Sequence, residues 1–142
     1  MATTRTASAH WEGSLMEGAG QVSLESSGIG TYPVSWPSRA EAANGQTSPE
    51  ELLAAAHSTC FSMALSHGLA QAGTPPTTID TTADVTFQPG TGITGIVLKV
   101  VGAMPGITAE QFQTAAEAAK AGCPVSQALA AVPITLEATF AG

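Results

Sequence analysis

The sequence predicts an α+β fold, with antiparallel sheets around a buried central helix. Three observations carry that prediction. Residues 78–88 and 93–104 are alternating or β-branched runs separated by Pro89-Gly90-Thr91-Gly92, which suits a hairpin. The stretch SPEELLAAAHSTCFSMAL opens on helix-start signals and carries no Asp, Glu, Lys or Arg between Glu51 and Gln71. Strands cluster in pairs rather than alternating one for one with helices, which separates α+β from a doubly wound sheet. The order expected is β-β-(β)-α-β-β-α-α-β, in a single domain covering residues 1–142.

Residues 3–11 and 20–26 alternate roughly and read as two strands joined by a loop through GSLMEGAG. Residues 27–47, rich in Gly, Ser and Pro, read mostly as loop, with room for a short strand near Thr31–Ser35. Ser48 fits an N-cap, Pro49 the first helical position and Glu51 the third, a capping box with proline where it is favoured. That helix runs to about Gln71 and stops at Gly73, ahead of Pro75-Pro76. Small or apolar on nearly every side, it is expected to be buried on nearly every side. In TIDTTADVTFQ, Ile79, Thr81, Ala83, Val85 and Phe87 share one strand face. Thr108 and Gln111 form a second capping box, opening a helix to about Ala121, with Gly122 suited to the C′ position. Cys123-Pro124 starts a short further helix to about Ala131, and ITLEATF closes the chain as a strand.

Charge excludes several functions. The net charge is −7, and Arg5, Arg39, Lys99 and Lys120 are the four basic side chains. A surface so poor in cations cannot neutralise phosphates, so neither nucleic acid nor an anionic membrane is an expected partner. The opening MATTRTASAHWEGS has no apolar core of a signal peptide, and no run approaches bilayer length. The chain reads as soluble and cytoplasmic, where two cysteines are more often catalytic or redox-sensing than a permanent staple.

Those cysteines, Cys60 and Cys123, are the only thiols and sit in unlike surroundings. Cys60 lies mid-helix, without a helix N-terminus to favour its thiolate, so another group must lower its pKa. As a bare residue it also reads as a small core hydrophobe. His57, three positions earlier, shares its helix face and reads as a hydrogen-bonded core position. Cys123, before Pro124, faces free backbone N–H groups and the positive end of a helix, which favours thiolate character. Cysteine is not among the preferred N-caps, which points beyond capping. Arg39, just before the long helix, is one of two arginines and can pair with a thiolate or grip a carboxylate with two N–H groups. With Glu51 committed to the cap, Glu50 is free to point elsewhere, although its charge also suits the helix N-terminus.

Distance constrains these residues. Glu50 and Cys60 are ten residues apart, so on one straight helix about 15 Å separates them. A site holding both needs a broken helix or two chains, and the second is the expectation: Glu50 of one protomer near Cys60 of another. His10, His57 and His67 lack metal-ligand spacing, and no G-x-S-x-G, Walker A or GxGxxG element is present.

SPEELLAAAHSTCFSMAL resembles the central-helix motif of the OsmC/Ohr family, and CPVSQAL resembles its second-cysteine motif. The likeness extends from HWEGSLMEGAG to the closing strand. Arginine shortly before the central helix, with none between Arg5 and Arg39, is similar to the osmotically inducible OsmC branch rather than the Ohr branch. Ala40 departs from the aromatic residue often found after that arginine. The resemblance implies thiol-dependent reduction of hydroperoxides, organic ones especially. An intertwined homodimer with sites at its interface is implied, and so is recycling by an external dithiol, lipoyl or similar. No metal, flavin or haem is implied. Cys60 matches the peroxidatic cysteine, Cys123 the resolving cysteine, and Arg39 with Glu50 the polar pair that activates the thiolate. Phe61, Met63 and Leu65 are candidates for apolar pocket walls. Two other readings make distinct predictions: a small-molecule-binding domain whose thiols ignore peroxide, and a redox sensor that oxidises without turnover.

Overall fold

The computed structural model describes residues Met1–Gly142. In chain order the elements are β1 (Ser8–Glu12), β2 (Ala19–Ser23), β3 (Thr31–Val34), α1 (Trp36–Ala40), α2 (Pro49–Gln71), β4 (Thr78–Gln88), β5 (Gly92–Ala103), α3 (Ala109–Gly122), α4 (Pro124–Ala128) and β6 (Ile134–Phe140). The class is α+β, as the strand clustering predicts. One element is additional. α1 forms inside the stretch read as loop because Ser35 and Ser38 make a reciprocal capping box, each side chain accepting from the other's backbone N–H. Serine stands there where glutamate or glutamine is the usual signal, so the start was easy to miss.

The chain packs as two units, Met1–Leu52 and Leu53–Gly142. In the first, β1-β2-β3 form an antiparallel sheet. β1 begins at Ser8, later than the alternation from residue 3 suggests. No apolar side chain of this unit is buried; its two buried residues are Ser38 and Glu50. Trp11, Leu15, Met16, Ile29 and Tyr32 are exposed. A small sheet of strands this short needs a covered apolar face to be stable.

The second unit holds the core. β4 and β5 pair antiparallel across a turn with Gly90 at φ 84° and Gly92 at φ 112°, backbone that favours glycine. β6 then joins β5 in parallel rather than antiparallel. The cause is the connection: α3 and α4 carry the chain back to the starting end of β5, and a strand laid down from there must run alongside it. α2 contributes Phe61, Leu65 and Leu69 to the core, β5 contributes Ile96, Leu98 and Val100, and α3 contributes Phe112, Ala116 and Ala119. At Gly102 a Cβ would lie 2.3 Å from the Phe112 ring, so glycine is what lets α3 seat against β5. The Phe112 ring meets that of Phe140 at 5.7 Å.

α2 departs from expectation in its burial. Its hidden residues in this unit, His57, Phe61, Leu65 and Leu69, recur every four positions and form one stripe, while Met63 opposite is 67 % exposed. In the single chain the helix is covered on one face, not all round. Its start follows the Ser48 signal in part. The Glu51 N–H donates to Ser48 Oγ at 3.1 Å, but the Glu51 carboxylate accepts from the Thr47 hydroxyl instead of closing the box. At α3 the Thr108–Gln111 box is complete. Gly122 is the last helical residue rather than a left-handed C′, and Cys123 ends the helix, its N–H donating to Ala119 O at 2.9 Å. No helix is long and apolar enough to cross a membrane.

Candidate active site

Two pairs of side chains face each other within the second unit. His57 and Cys60 are three apart on α2 and so share a face. Cys123 and Ser126 are the N-cap and third residue of α4, the spacing at which a cap and its partner meet. His57 Nε2 and Ser126 Oγ lie 2.7 Å apart, and both side chains are buried. One turn along, Cys60 and Cys123 perturb each other's titration, which puts the two thiols near one another, and they are not covalently joined. The fold thus brings near each other two thiols sixty-three residues apart in the sequence.

The two thiols differ electrostatically. Burial pushes the Cys60 thiol above its usual value, and the adjacent Cys123 adds to the shift, against a weaker opposing pull from the Val125 backbone N–H. Burial also acts on Cys123, but there hydrogen-bond donors win. The Ser126 backbone N–H, the Cys60 thiol, the Ser126 hydroxyl and the Val125 N–H together hold Cys123 below its usual value. The sulfur forms no regular capping bond, so the backbone N–H groups act on it as nearby dipoles rather than as a formed cap. Thiolate character at Cys123 follows the sequence reasoning. At Cys60 the pull of the Val125 N–H is outweighed by burial and by Cys123.

The first unit assembles the other pair. Arg39, in the last turn of α1, grips Glu50, in the first turn of α2. Arg39 Nε donates to Glu50 Oε1 at 3.1 Å and Oε2 at 3.3 Å, and Nη2 donates to Oε2 at 2.9 Å. This is the planar fork that arginine makes and lysine cannot. Glu50 is free for it because Glu51 takes the helix-start contacts. Glu50 and Cys60 lie on one unbroken α2, so about 15 Å of helix axis separates them.

Phe61 and Leu65 are core residues rather than pocket walls, and Met63 alone of the three faces outward. A groove of about 840 Å³ between α2 and α3, lined by Ala64, Gly68, Ala115 and Ala118 among others, includes neither cysteine. No three His, Cys, Asp or Glu side chains converge on a common metal position. Ser126 is the residue that sequence reasoning passed over. Its signal was present, three positions after Cys123 in CPVSQAL, and the expected core hydrogen bond of His57 goes to it.

Comparison with known proteins identifies the family and the fold. The family model described as OsmC-like protein matches residues 42–137. Peroxiredoxin OsmC of Escherichia coli (strain K12) is 52 % identical over 132 residues, covering 91 % of each chain. A crystal structure of an organic hydroperoxide resistance protein from Elizabethkingia anophelis superposes with TM-score 0.66 at 27 % identity, covering 99 % of this chain and 98 % of that one. An organic hydroperoxide resistance protein OsmC from Legionella pneumophila shares the fold, with TM-score 0.74 over 98 % of each chain, at 22 % identity. By the matched family model and by its identity to a full-length relative, this chain belongs to the OsmC-like protein family.

Proposed function

We propose that the chain is a cysteine-based peroxidase that reduces organic hydroperoxides to alcohols and is recycled by a dithiol, lipoyl or similar. The observation that carries this reading is the nearness of Cys60 and Cys123, both free, beside the buried His57–Ser126 pair. The Escherichia coli relative is a peroxiredoxin and the Elizabethkingia anophelis protein is an organic hydroperoxide resistance protein, which supports the same reading. The Cys60 thiolate attacks the terminal peroxide oxygen. The O–O bond breaks, the alkoxide takes a proton to leave as alcohol, and Cys60 is left as sulfenic acid. Cys123 then attacks the Cys60 sulfur, an S–S bond forms, and hydroxide leaves as water after protonation. A dithiol returns two electrons and frees both thiols.

Cys60 needs a cation to ionise readily, since burial and its neighbour oppose it. The unbroken α2 keeps Glu50 from the Cys60 of its own chain. Both facts support a homodimer in which Arg39 of the partner subunit, oriented by its Glu50, faces Cys60. The exposed apolar side chains of residues 1–52 and the bare face of α2 support it too, because such surfaces mark association sites. The whole chain acts as one domain of that assembly, in a reducing compartment such as the cytoplasm.

The test is a free-thiol count before and after one equivalent of cumene hydroperoxide, then again after a dithiol. Loss of both thiols and their return is the expected result, and Cys60→Ser should abolish peroxide consumption. Two thiols untouched by peroxide would reduce the chain to a binding domain.

A further inference from the structure

The buried pair beside the thiols has no role in the chemistry so far. His57 is fully buried, and its Nδ1 has no hydrogen-bond partner. Its one polar contact is Ser126 Oγ at 2.7 Å. Placing a histidine and a serine inside an apolar core is costly unless they are needed there.

Hydrogen direction follows from what is left unpaired. A neutral imidazole carries one N–H. An orphaned buried N–H is rarer than an unfilled acceptor. The proton therefore belongs on Nε2, where Ser126 Oγ accepts it, and Nδ1 keeps a bare lone pair. Burial lowers the His57 pKa, which keeps the ring neutral. With its oxygen receiving from His57, the Ser126 hydroxyl proton is free to point at a second acceptor. The cap-to-third-residue spacing presents Cys123 as that acceptor.

We propose that His57 and Ser126 are positioning residues for the resolving thiol: a donor chain, His57 Nε2–H to Ser126 Oγ–H to Cys123 Sγ, that holds Cys123 as the nucleophile of disulfide closure. The assignment rests on the peroxidase reading above for its place in the cycle. In closure, the Cys123 thiolate attacks the sulfur of Cys60 sulfenic acid; the S–S bond forms, the S–O bond breaks, and the departing hydroxide takes a proton from solvent. In recycling the same donors receive Cys123 as the thiolate leaving group when a dithiol breaks the disulfide. The titratable groups meeting there are Cys60 and His57 from α2 and Cys123 from the α3–α4 junction. Lys120, one turn before Cys123, is turned instead to Glu117 at 3.6 Å and to Ile134 O at 3.4 Å.

Two readouts test the chain of donors. In single turnover with cumene hydroperoxide, Ser126→Ala should form Cys60 sulfenic acid at the parent rate and close the disulfide about tenfold more slowly, the equivalent of one pKa unit at Cys123. Ser126→Thr, which keeps a hydroxyl, should restore closure. In a Cys60→Ala background, thiolate ultraviolet absorbance should show Cys123 titrating about one unit higher once Ser126→Ala is added. If Ser126→Ala alone is too unstable, His57→Phe with Ser126→Ala removes both ends of the bond and should show the same slowing. Unchanged closure and unchanged titration would overturn the proposal. The titration uses no peroxide. A chain inert to peroxide with a Ser126-dependent titration would sink the peroxidase reading and keep the donor chain.

Discussion

Arg39 and Glu50 form an ion pair whose energetic coupling can be worked out in advance. Three N–H···O contacts between 2.9 and 3.3 Å join them. The Glu50 side chain is 9 % exposed and that of Arg39 31 %. Breaking a fully buried pair by removing one partner costs about 3–5 kcal/mol, while an exposed pair is worth about 0.2–1 kcal/mol. This pair lies between, so Arg39→Ala should destabilise by about 2 kcal/mol, mostly by stranding a buried carboxylate. Glu50→Gln keeps an acceptor without the charge and should cost about 1 kcal/mol. The double variant should cost less than the sum by about 1.5 kcal/mol, since each single change already breaks the same fork. Urea denaturation at one fixed protein concentration reads this directly; a 2 kcal/mol loss lowers the midpoint by about 1 M. If the two changes add to within about 0.3–0.5 kcal/mol, the fork is not an energetic unit. The same variants probe the proposed function. Arg39→Ala should slow oxidation of Cys60 by peroxide at neutral pH, and an unchanged rate would remove Arg39 from the reacting site.

Three more outcomes follow from the geometry. Cys123→Ser should consume one peroxide per site and then stop, with mass spectrometry showing Cys60 moving on to sulfinic acid; normal cycling would mean that Cys123 does not resolve. Gly102→Ala forces a Cβ to within 2.3 Å of Phe112 and should cost about 1–3 kcal/mol of stability, partly recovered by Phe112→Leu; a neutral effect would mean α3 is loosely seated. Burial holds the His57 ring below the ordinary imidazole value of 6.5 in the folded chain. The unfolded chain therefore binds the extra proton first as pH falls, so stability is full above about 6.5 and declines below it until the folded ring also protonates. Urea midpoints measured from neutral pH down to about 5 should show that decline, and His57→Phe with Ser126→Ala should flatten it.

The long elements were legible in the sequence because local and tertiary preferences agree there. Ser48, Thr108, the alternation of residues 78–88 and the ITLEATF strand each signal an element that forms. The miss at α1 reflects a weak cap chemistry, with serine doing the work of glutamate. The parallel entry of β6 was not legible because alternation fixes which side chains share a face but not the direction in which a strand is laid down. The one-sided burial of α2 was hidden for a similar reason. Small and apolar residues all round the helix state that it wants covering, not whether its own chain supplies the cover. At the candidate site, cap arithmetic left Glu50 free without naming its partner, the Arg39–Glu50 pair was implied by the family resemblance alone, and thiolate character at Cys123 followed from its place before Pro124. Ser126 escaped because a lone serine has no meaning until the partner sixty-nine residues away is brought beside it.

The nearness of Cys60 to Cys123 also bears on how durable the molecule is. A bond between them would close a loop that contains β4, β5 and α3, which is most of the second unit. In chain-entropy terms, tying a loop of that size restricts the unfolded chain by about 4 kcal/mol. A peroxidase built this way would switch between a cross-linked and an open molecule with every turnover. Its oxidised form, accumulated when peroxide outruns the reductant, would be the harder one to unfold or digest. Oxidant supply would then set the protein's lifetime as well as its workload.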